Sequence, residues 1–202
     1  MEPLTAAYGA LFLGVLLPRL WFQRDAKRHD RSKDRLHRDD VPRLRLLKAF
    51  SLLGLLGTAL FVAQAPLVRP FDLPLPAALR GLGFGLGSGA VVLYAWTHRT
   101  LGREWSVRLR VREGGALVTE GPYRWIRHPM YSAALLWALG LTLTSANAAA
   151  GLPWLAVAAL AAARAPDEEA LLAEAHGPAY AAYAAATGRF LPRLRRAPAP
   201  QG

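Results

Sequence analysis

The chain contains no cysteine. That excludes a disulfide framework, a Cys-ligated zinc or iron–sulfur centre, and thiol catalysis, and it leaves the redox compartment open. Acidic residues are scarce too, with 14 Asp+Glu against 25 Lys+Arg in 202 residues and a net charge of +11. Length allows one domain or two small ones. Charge of either sign is missing altogether from four stretches, 3–18, 49–68, 81–97 and 129–163. Mean hydropathy nevertheless reaches +0.17. The charges are therefore segregated from the apolar residues, as in a membrane protein.

A bilayer core about 30 Å thick needs roughly 20 residues of helix, with about 17 as the lower limit. The first three uncharged stretches can each cross once if their ends borrow flanking residues such as Leu20, Trp21 and Phe22. The fourth is too long for one crossing, since its residues would make a helix of about 52 Å. It reads as a helical hairpin, with Ser145, Asn147, Gly151 and Pro153 as turn and breaker residues near its middle. The expected fold is all-α, a polytopic membrane protein of about five transmembrane helices near 4–22, 47–66, 80–98, 130–145 and 150–165.

The basic residues orient this topology. Eleven Lys+Arg lie in 19–48, seven in 99–127 and five after 163, but only Arg69 and Arg80 between the second and third spans. With five spans the three basic segments share one side, which the positive-inside rule makes cytoplasmic. The expectation is an integral protein of a bacterial inner membrane, N-terminus outside and C-terminus inside. Nucleic-acid binding is disfavoured, because Asp25, Asp30, Asp34, Asp39 and Asp40 interrupt the bases and apolar spans adjoin them. No cleavable signal peptide is expected, because no basic region precedes the first apolar stretch.

Some signals mislead. Gly81, Gly83, Gly85, Gly87 and Gly89 suggest a nucleotide loop, but position 86 is leucine and no strand precedes it. On a helix Gly81, Gly85 and Gly89 form a small-residue stripe suited to helix packing. The mixed-charge stretch 25–40 reads as a solvated loop or interfacial helix, and its His29 and His37 lack further metal ligands. The tail 197–202 reads as disordered.

Two blocks carry chemical information. The first is Gly121-Pro122-Tyr123-Arg124-Trp125-Ile126-Arg127-His128-Pro129-Met130-Tyr131. Pro129 suits a helix's first turn, which sets Arg127 and His128 at an N-terminus where backbone N–H groups and the dipole favour an anion. Arg127 adds a fork of donors for a carboxylate or phosphate. An interfacial anchor with an aromatic belt of Tyr123, Trp125 and Tyr131 fits the same residues. The second block runs Arg164-Ala165-Pro166-Asp167-Glu168-Glu169-Ala170-Leu171-Leu172, then His176-Gly177-Pro178-Ala179-Tyr180-Ala181-Ala182-Tyr183. Adjacent carboxylates below a membrane helix need water or a cation. The hairpin returns them to the face that carries Arg127 and His128. An anion site, a cation site and aromatic faces would suit a zwitterionic ligand, including a sulfonium.

At these residues the chain resembles the isoprenylcysteine carboxyl methyltransferase and phospholipid methyltransferase superfamily. The first block fits a G-P-Y-x-x-x-R-H-P-x-Y pattern at every fixed position. The second fits R-x-x-x-E-E-x-x-L, then G-x-x-Y-x-x-Y and a later Leu-Pro, through Arg164, Glu168, Glu169, Leu172, Gly177, Tyr180, Tyr183, Leu191 and Pro192. Leu101-Gly102 and Leu117-Val118-Thr119 also fit. The resemblance covers about 101–192, which suggests N-terminal spans and a basic loop in 1–100 and a methyltransferase-like region in 101–196.

The resemblance implies S-adenosylmethionine as methyl donor and a lipophilic acceptor, a small molecule or lipidated substrate, arriving from the bilayer. By carry-over Arg127, His128 and Tyr131 would hold the donor's methionine end, with Tyr123 beside them. Glu168 and Glu169 would hold its ammonium or ribose, Arg164 would orient them, and Tyr180 and Tyr183 would wall the cavity. His128, Arg127 and Glu168 are the candidate catalytic residues; no metal is implied. Three departures stand out. Glu104-Trp105-Ser106-Val107 replaces an Asn-Phe-x-His element of eukaryotic prenylcysteine enzymes, which questions a prenylcysteine substrate. His176 replaces a usual Phe, and Pro166 is unusual between Arg and Glu-Glu. The alternatives are a nicotinamide-dependent reductase of the sterol-reductase kind, whose pyrophosphate the paired carboxylates would repel, and a non-enzymatic membrane scaffold.

Overall fold

A computed structural model describes residues 3–29, 41–101 and 116–193, with side chains from 22 to 29 and at 41 excepted. The readings of 25–40, of His29 and His37, of Gly102, of 104–107 and of 197–202 lie outside the described side chains. The described chain is all-α: α1 Pro3–His29, α2 Val41–Val62, α3 Ala77–Leu101, α4 Pro129–Ser145, α5 Ala148–Ala162, α6 Ala165–His176 and α7 Pro178–Ala186. Short 3-10 turns occupy Pro66–Phe71 and Gly121–Arg124. Among the described residues four stretches are long and apolar enough to cross a bilayer: Pro3–Trp21, Pro42–Val62, Ala77–Leu101 and Ala148–His176. At 17 residues α4 sits at the lower limit for a span.

The second helix starts earlier than the uncharged run suggested, because Pro42 fits its first turn and Arg43, Arg45 and Lys48 ride on it. It ends at Val62, where Gln64 turns left-handed (φ 55°) and Pro66 follows. The hairpin turn lies at Ala146–Asn147. Ala146 adopts the left-handed conformation, and the Asn147 side chain caps α5 by accepting from Ala150 N at 3.0 Å. Gly151 and Pro153, expected near the turn, lie inside α5 instead. Both fall within its first two turns. Gly151 packs against Thr142, whose Oγ1 would stand 2.5 Å from an added Cβ.

The turn is pinned to the α2–α3 connection. Asn147 donates to Val68 O and to Asp72 Oδ1, each at 2.8 Å. Arg80 donates to Thr144 O at 3.2 Å and Ser145 O at 3.4 Å, placing a cation on the last carbonyls of α4.

The core lies among α1, α3, α4 and α5, with Tyr8, Leu11, Phe12, Ala90, Trp137, Ala138, Leu141, Ala150 and Ala158 buried together. Its polar atoms are paired: Tyr8 OH bonds Thr58 Oγ1 at 2.8 Å and donates to Ala150 O at 2.9 Å, and Trp137 Nε1 donates to Leu11 O at 2.9 Å. The glycine stripe that packs is not the expected one. A Cβ at Gly81, Gly85 or Gly89 would meet nothing within 4 Å, whereas one at Gly83 would stand 2.5 Å from Leu143 Cβ. Gly140 of α4 likewise approaches Gly87, at 2.6 Å from its nitrogen to an added Cβ. Gly83, Gly87 and Gly140 bring the α3 and α4 backbones together, and the other face of α3 stays open.

Candidate functional site

The hairpin closes the site from two sides. At one end His128 immediately precedes α4, with Pro129 in the first turn. At the other α5 stops at Ala162, and Pro166 in the first turn of α6 removes the N–H that would continue the helix across the junction. The proline that looked unusual between Arg164 and Glu168 thus marks the break between α5 and α6. The Arg164 carbonyl accepts from Glu168 N at 3.1 Å, so Arg164 opens α6 and the two carboxylates fall in its first turns. Gly177, at φ 52°, separates α6 from α7.

Arg127, His128, Glu168 and Glu169 form one cluster. Arg127 Nε donates to Glu169 Oε1 at 3.0 Å, and Nη1 donates to the carbonyls of Ala184 at 2.8 Å and Thr187 at 2.5 Å. His128 stands between the two carboxylates, Nε2 at 3.1 Å from Glu169 Oε1 and Nδ1 at 3.5 Å from Glu168 Oε2. The carboxylates differ: the Glu169 side chain is 15% exposed and that of Glu168 is 41% exposed. Partial burial opposes ionisation of Glu169, but hydrogen bonds from Arg189 and Arg127 outweigh it and hold the carboxyl down at about 2.

The aromatic residues of the first block divide. Tyr131 turns inward, stacking on His128 with centroids 5.6 Å apart, on the side of Glu168. The Tyr123 carbonyl accepts from Tyr183 OH at 2.9 Å, and burial, reinforced by Glu168, pushes the Tyr123 hydroxyl well above its ordinary value. Trp125 turns outward, 44% exposed, under the Arg124 guanidinium at 4.7 Å and near Trp96 at 6.0 Å. The motif therefore holds both an inward cluster and an outward interfacial face. On α7 the Tyr180 and Tyr183 rings lie 6.1 Å apart, and burial pushes both hydroxyls up to about 12. Tyr180 OH is buried with no hydrogen-bond partner among the described residues. Asp167 pairs with Arg43 of α2 at 3.1 Å, which ties the start of α2 to the same end of the bundle.

Arg189 was missed by sequence reasoning. It grips Glu169 with Nε on Oε1 at 3.0 Å and Nη2 on Oε2 at 2.6 Å. Its only signal was adjacency to the Leu191-Pro192 pair. The residue sits on a segment that pairs with the first block: Arg127 N donates to Gly188 O at 2.8 Å, His128 N to Arg189 O at 3.0 Å, and Gly188 N to Trp125 O at 3.1 Å. Among the described residues no group of His, Asp and Glu could hold a metal.

Residues 87–174 match the model of the isoprenylcysteine carboxyl methyltransferase family. The chain is 40% identical over 97 residues to the cobalt-zinc-cadmium resistance protein CzcN of Cupriavidus metallidurans, covering 47% of this chain and 44% of that protein. It is 35% identical over 88 residues to protein-S-isoprenylcysteine O-methyltransferase B of Arabidopsis thaliana, covering 42% and 45%. The chain spans less than half the length of these curated relatives. Among solved structures it resembles the eukaryotic intramembrane Ras methyltransferase, at a TM-score of 0.51 and 21% identity, covering 77% of this chain and 54% of that one. At that identity the likeness concerns the fold, a polytopic helical membrane protein. The superfamily resemblance read from the two motifs is borne out, and the match begins inside α3.

Proposed function

We propose, from the match of residues 87–174 to the model of the isoprenylcysteine carboxyl methyltransferase family, that this membrane protein is an S-adenosylmethionine-dependent methyltransferase for a lipophilic or amphipathic acceptor. One observation carries the reading. Arg127 and His128 meet Glu168 and Glu169 within 3.0–3.5 Å, although about forty residues and a helical hairpin separate them. The donor set fits a zwitterionic sulfonium: a guanidinium at the N-terminus of α4, a half-exposed carboxylate, the stacked ring of Tyr131, and the buried hydroxyl of Tyr180, unpartnered among the described residues.

In this reading Arg127 faces the ligand's carboxylate, aided by the N-terminal dipole of α4. Glu168, the more exposed acid, takes the ammonium or the ribose hydroxyls. Glu169, gripped by Arg127 and Arg189, orients Arg127 and His128. Tyr123, Tyr180 and Tyr183 wall the cavity and exclude water, and Arg164 sets the first turn of α6. The region 101–196 supplies these groups, and 1–100 supplies the supporting spans. The cofactor's chemistry is an electrophilic methyl group on a sulfonium. The chain's own share is alignment and dehydration. A carboxylate acceptor arrives anionic and needs no base. An amine acceptor must lose a proton, which His128 Nδ1 or the Glu168 carboxylate can accept. The acceptor enters from the lipid phase, on the side that carries the basic segments.

The test is methyl transfer from labelled S-adenosylmethionine to extracted membrane lipid by the purified chain. Label in an organic-soluble product is expected, lost on His128→Ala in folded protein. Absence of transfer together with tight NADPH binding would favour a reductase.

A further inference from the structure

The chain beyond α7 crosses beneath the N-terminus of α4. Thr187 N donates to Tyr183 O at 3.1 Å, Gly188 and Arg189 take the main-chain bonds of Arg127 and His128, and Ser132 Oγ donates to Phe190 O at 2.6 Å. These bonds involve the strap's backbone, so they fix its path whatever side chain stands at 189. The Arg189 side chain is then free for another purpose. It is 45% exposed, and it forks onto both oxygens of Glu169.

The two oxygens differ in what holds them. Oε1 faces three donors, Arg127 Nε, His128 Nε2 and Arg189 Nε. Among the described residues the donor at Oε2 is Arg189. A carboxylate held through one oxygen can rotate, and Arg127 and His128 would follow it. A carboxylate held at both oxygens by a planar fork cannot.

We propose that Arg189, carried on the strap 187–190, is a positioning residue of the S-adenosylmethionine site. It locks Glu169 so that Arg127 and His128 present fixed edges, and Glu168 is left as the carboxylate that faces the ligand. The inference rests on the methyltransferase reading. Lysine keeps the charge but not the fork, so it replaces arginine only in part. The same grip holds the Glu169 carboxyl low. Without it Glu169 takes up a proton at higher pH and releases its cations there.

The test is calorimetric titration of the full chain, in lipid nanodiscs, with S-adenosylhomocysteine at pH 8 and pH 5. Wild-type protein measured at the same pH is the reference for each variant. Arg189→Ala is expected to bind about tenfold more weakly at pH 8 and weaker still at pH 5, with Arg189→Lys between. Combined with Glu169→Gln, Arg189→Ala should add nothing further, because both act through one contact. Arg189→Ala or Arg189→Lys binding as wild type at both pH values overturns the assignment alone, as do additive losses. If Arg189→Ala does not fold, the lysine variant decides. A wild-type chain that binds no S-adenosylhomocysteine overturns the methyltransferase reading and this role together.

Discussion

Glu169 is the residue on which the cluster turns. Arg127 and Glu169 are 13% and 15% exposed, so removing the acid strands a largely desolvated guanidinium. Glu169→Gln is expected to destabilise the folded protein by about 2–3 kcal/mol at neutral pH, below the range for a fully buried pair because both side chains keep some water. The sign with pH follows from the depressed carboxyl. Its folded value of about 2 lies below the ordinary 4.5, so its contribution is complete above about pH 5 and fades as pH falls toward 2. Thermal unfolding of wild type and Glu169→Gln should therefore differ most above pH 5 and converge in acid; a constant gap would contradict the assignment. At this scale the sequence was legible where residue types are unusual for a membrane surface, as in Arg127-His128 and Glu168-Glu169. It was silent at Arg189, because an arginine in a basic tail looks like any other until the backbone pairing of 126 with 188 is seen.

Helix pairs, by contrast, could be counted from sequence but not rotated. Two glycine registers run along α3, offset by two residues or about 200° of helix, so 81/85/89 and 83/87 face opposite ways. Nothing local distinguishes them. The choice follows from Gly140 and Leu143 of α4, which press on Gly83 and Gly87. Gly83→Leu is expected to destabilise by several kcal/mol, since the backbone of α4 blocks the space, while Gly85→Leu should fall within about 0.5 kcal/mol of wild type. Equal unfolding temperatures for the two variants would contradict this packing. The hairpin turn was legible because asparagine is a strong cap. Asn147→Ala removes the cap and two donated bonds and should cost about 2 kcal/mol. Its S-adenosylhomocysteine affinity should stay unchanged, because the turn lies at the far end of α4 and α5 from His128. A loss of affinity without a loss of stability would overturn that separation.

At the scale of the whole molecule, segregated charge made the membrane fold legible, and the hairpin's length foretold that the two motifs would return to one end. Which side of the membrane that end faces is a consequence of the basic residues, and the absence of cysteine makes it testable in the natural sequence. Arg124→Cys, beside the site, and Pro74→Cys, in the α2–α3 connection, are both exposed. An impermeant maleimide added to intact cells is expected to label Cys at 74 and to reach Cys at 124 only after permeabilisation. Labelling of both from one side would contradict the topology.

In the proposed function two distant stretches of chain jointly hold one small zwitterion. Isothermal titration of the purified chain with S-adenosylmethionine tests it most directly, comparing wild type with Glu168→Ala and His128→Ala variants of unchanged helicity. One-to-one binding by wild type, weakened at least tenfold by either substitution, is the predicted result. Binding that survives both substitutions, or a wild-type chain that binds NADPH and no S-adenosylmethionine, would contradict it.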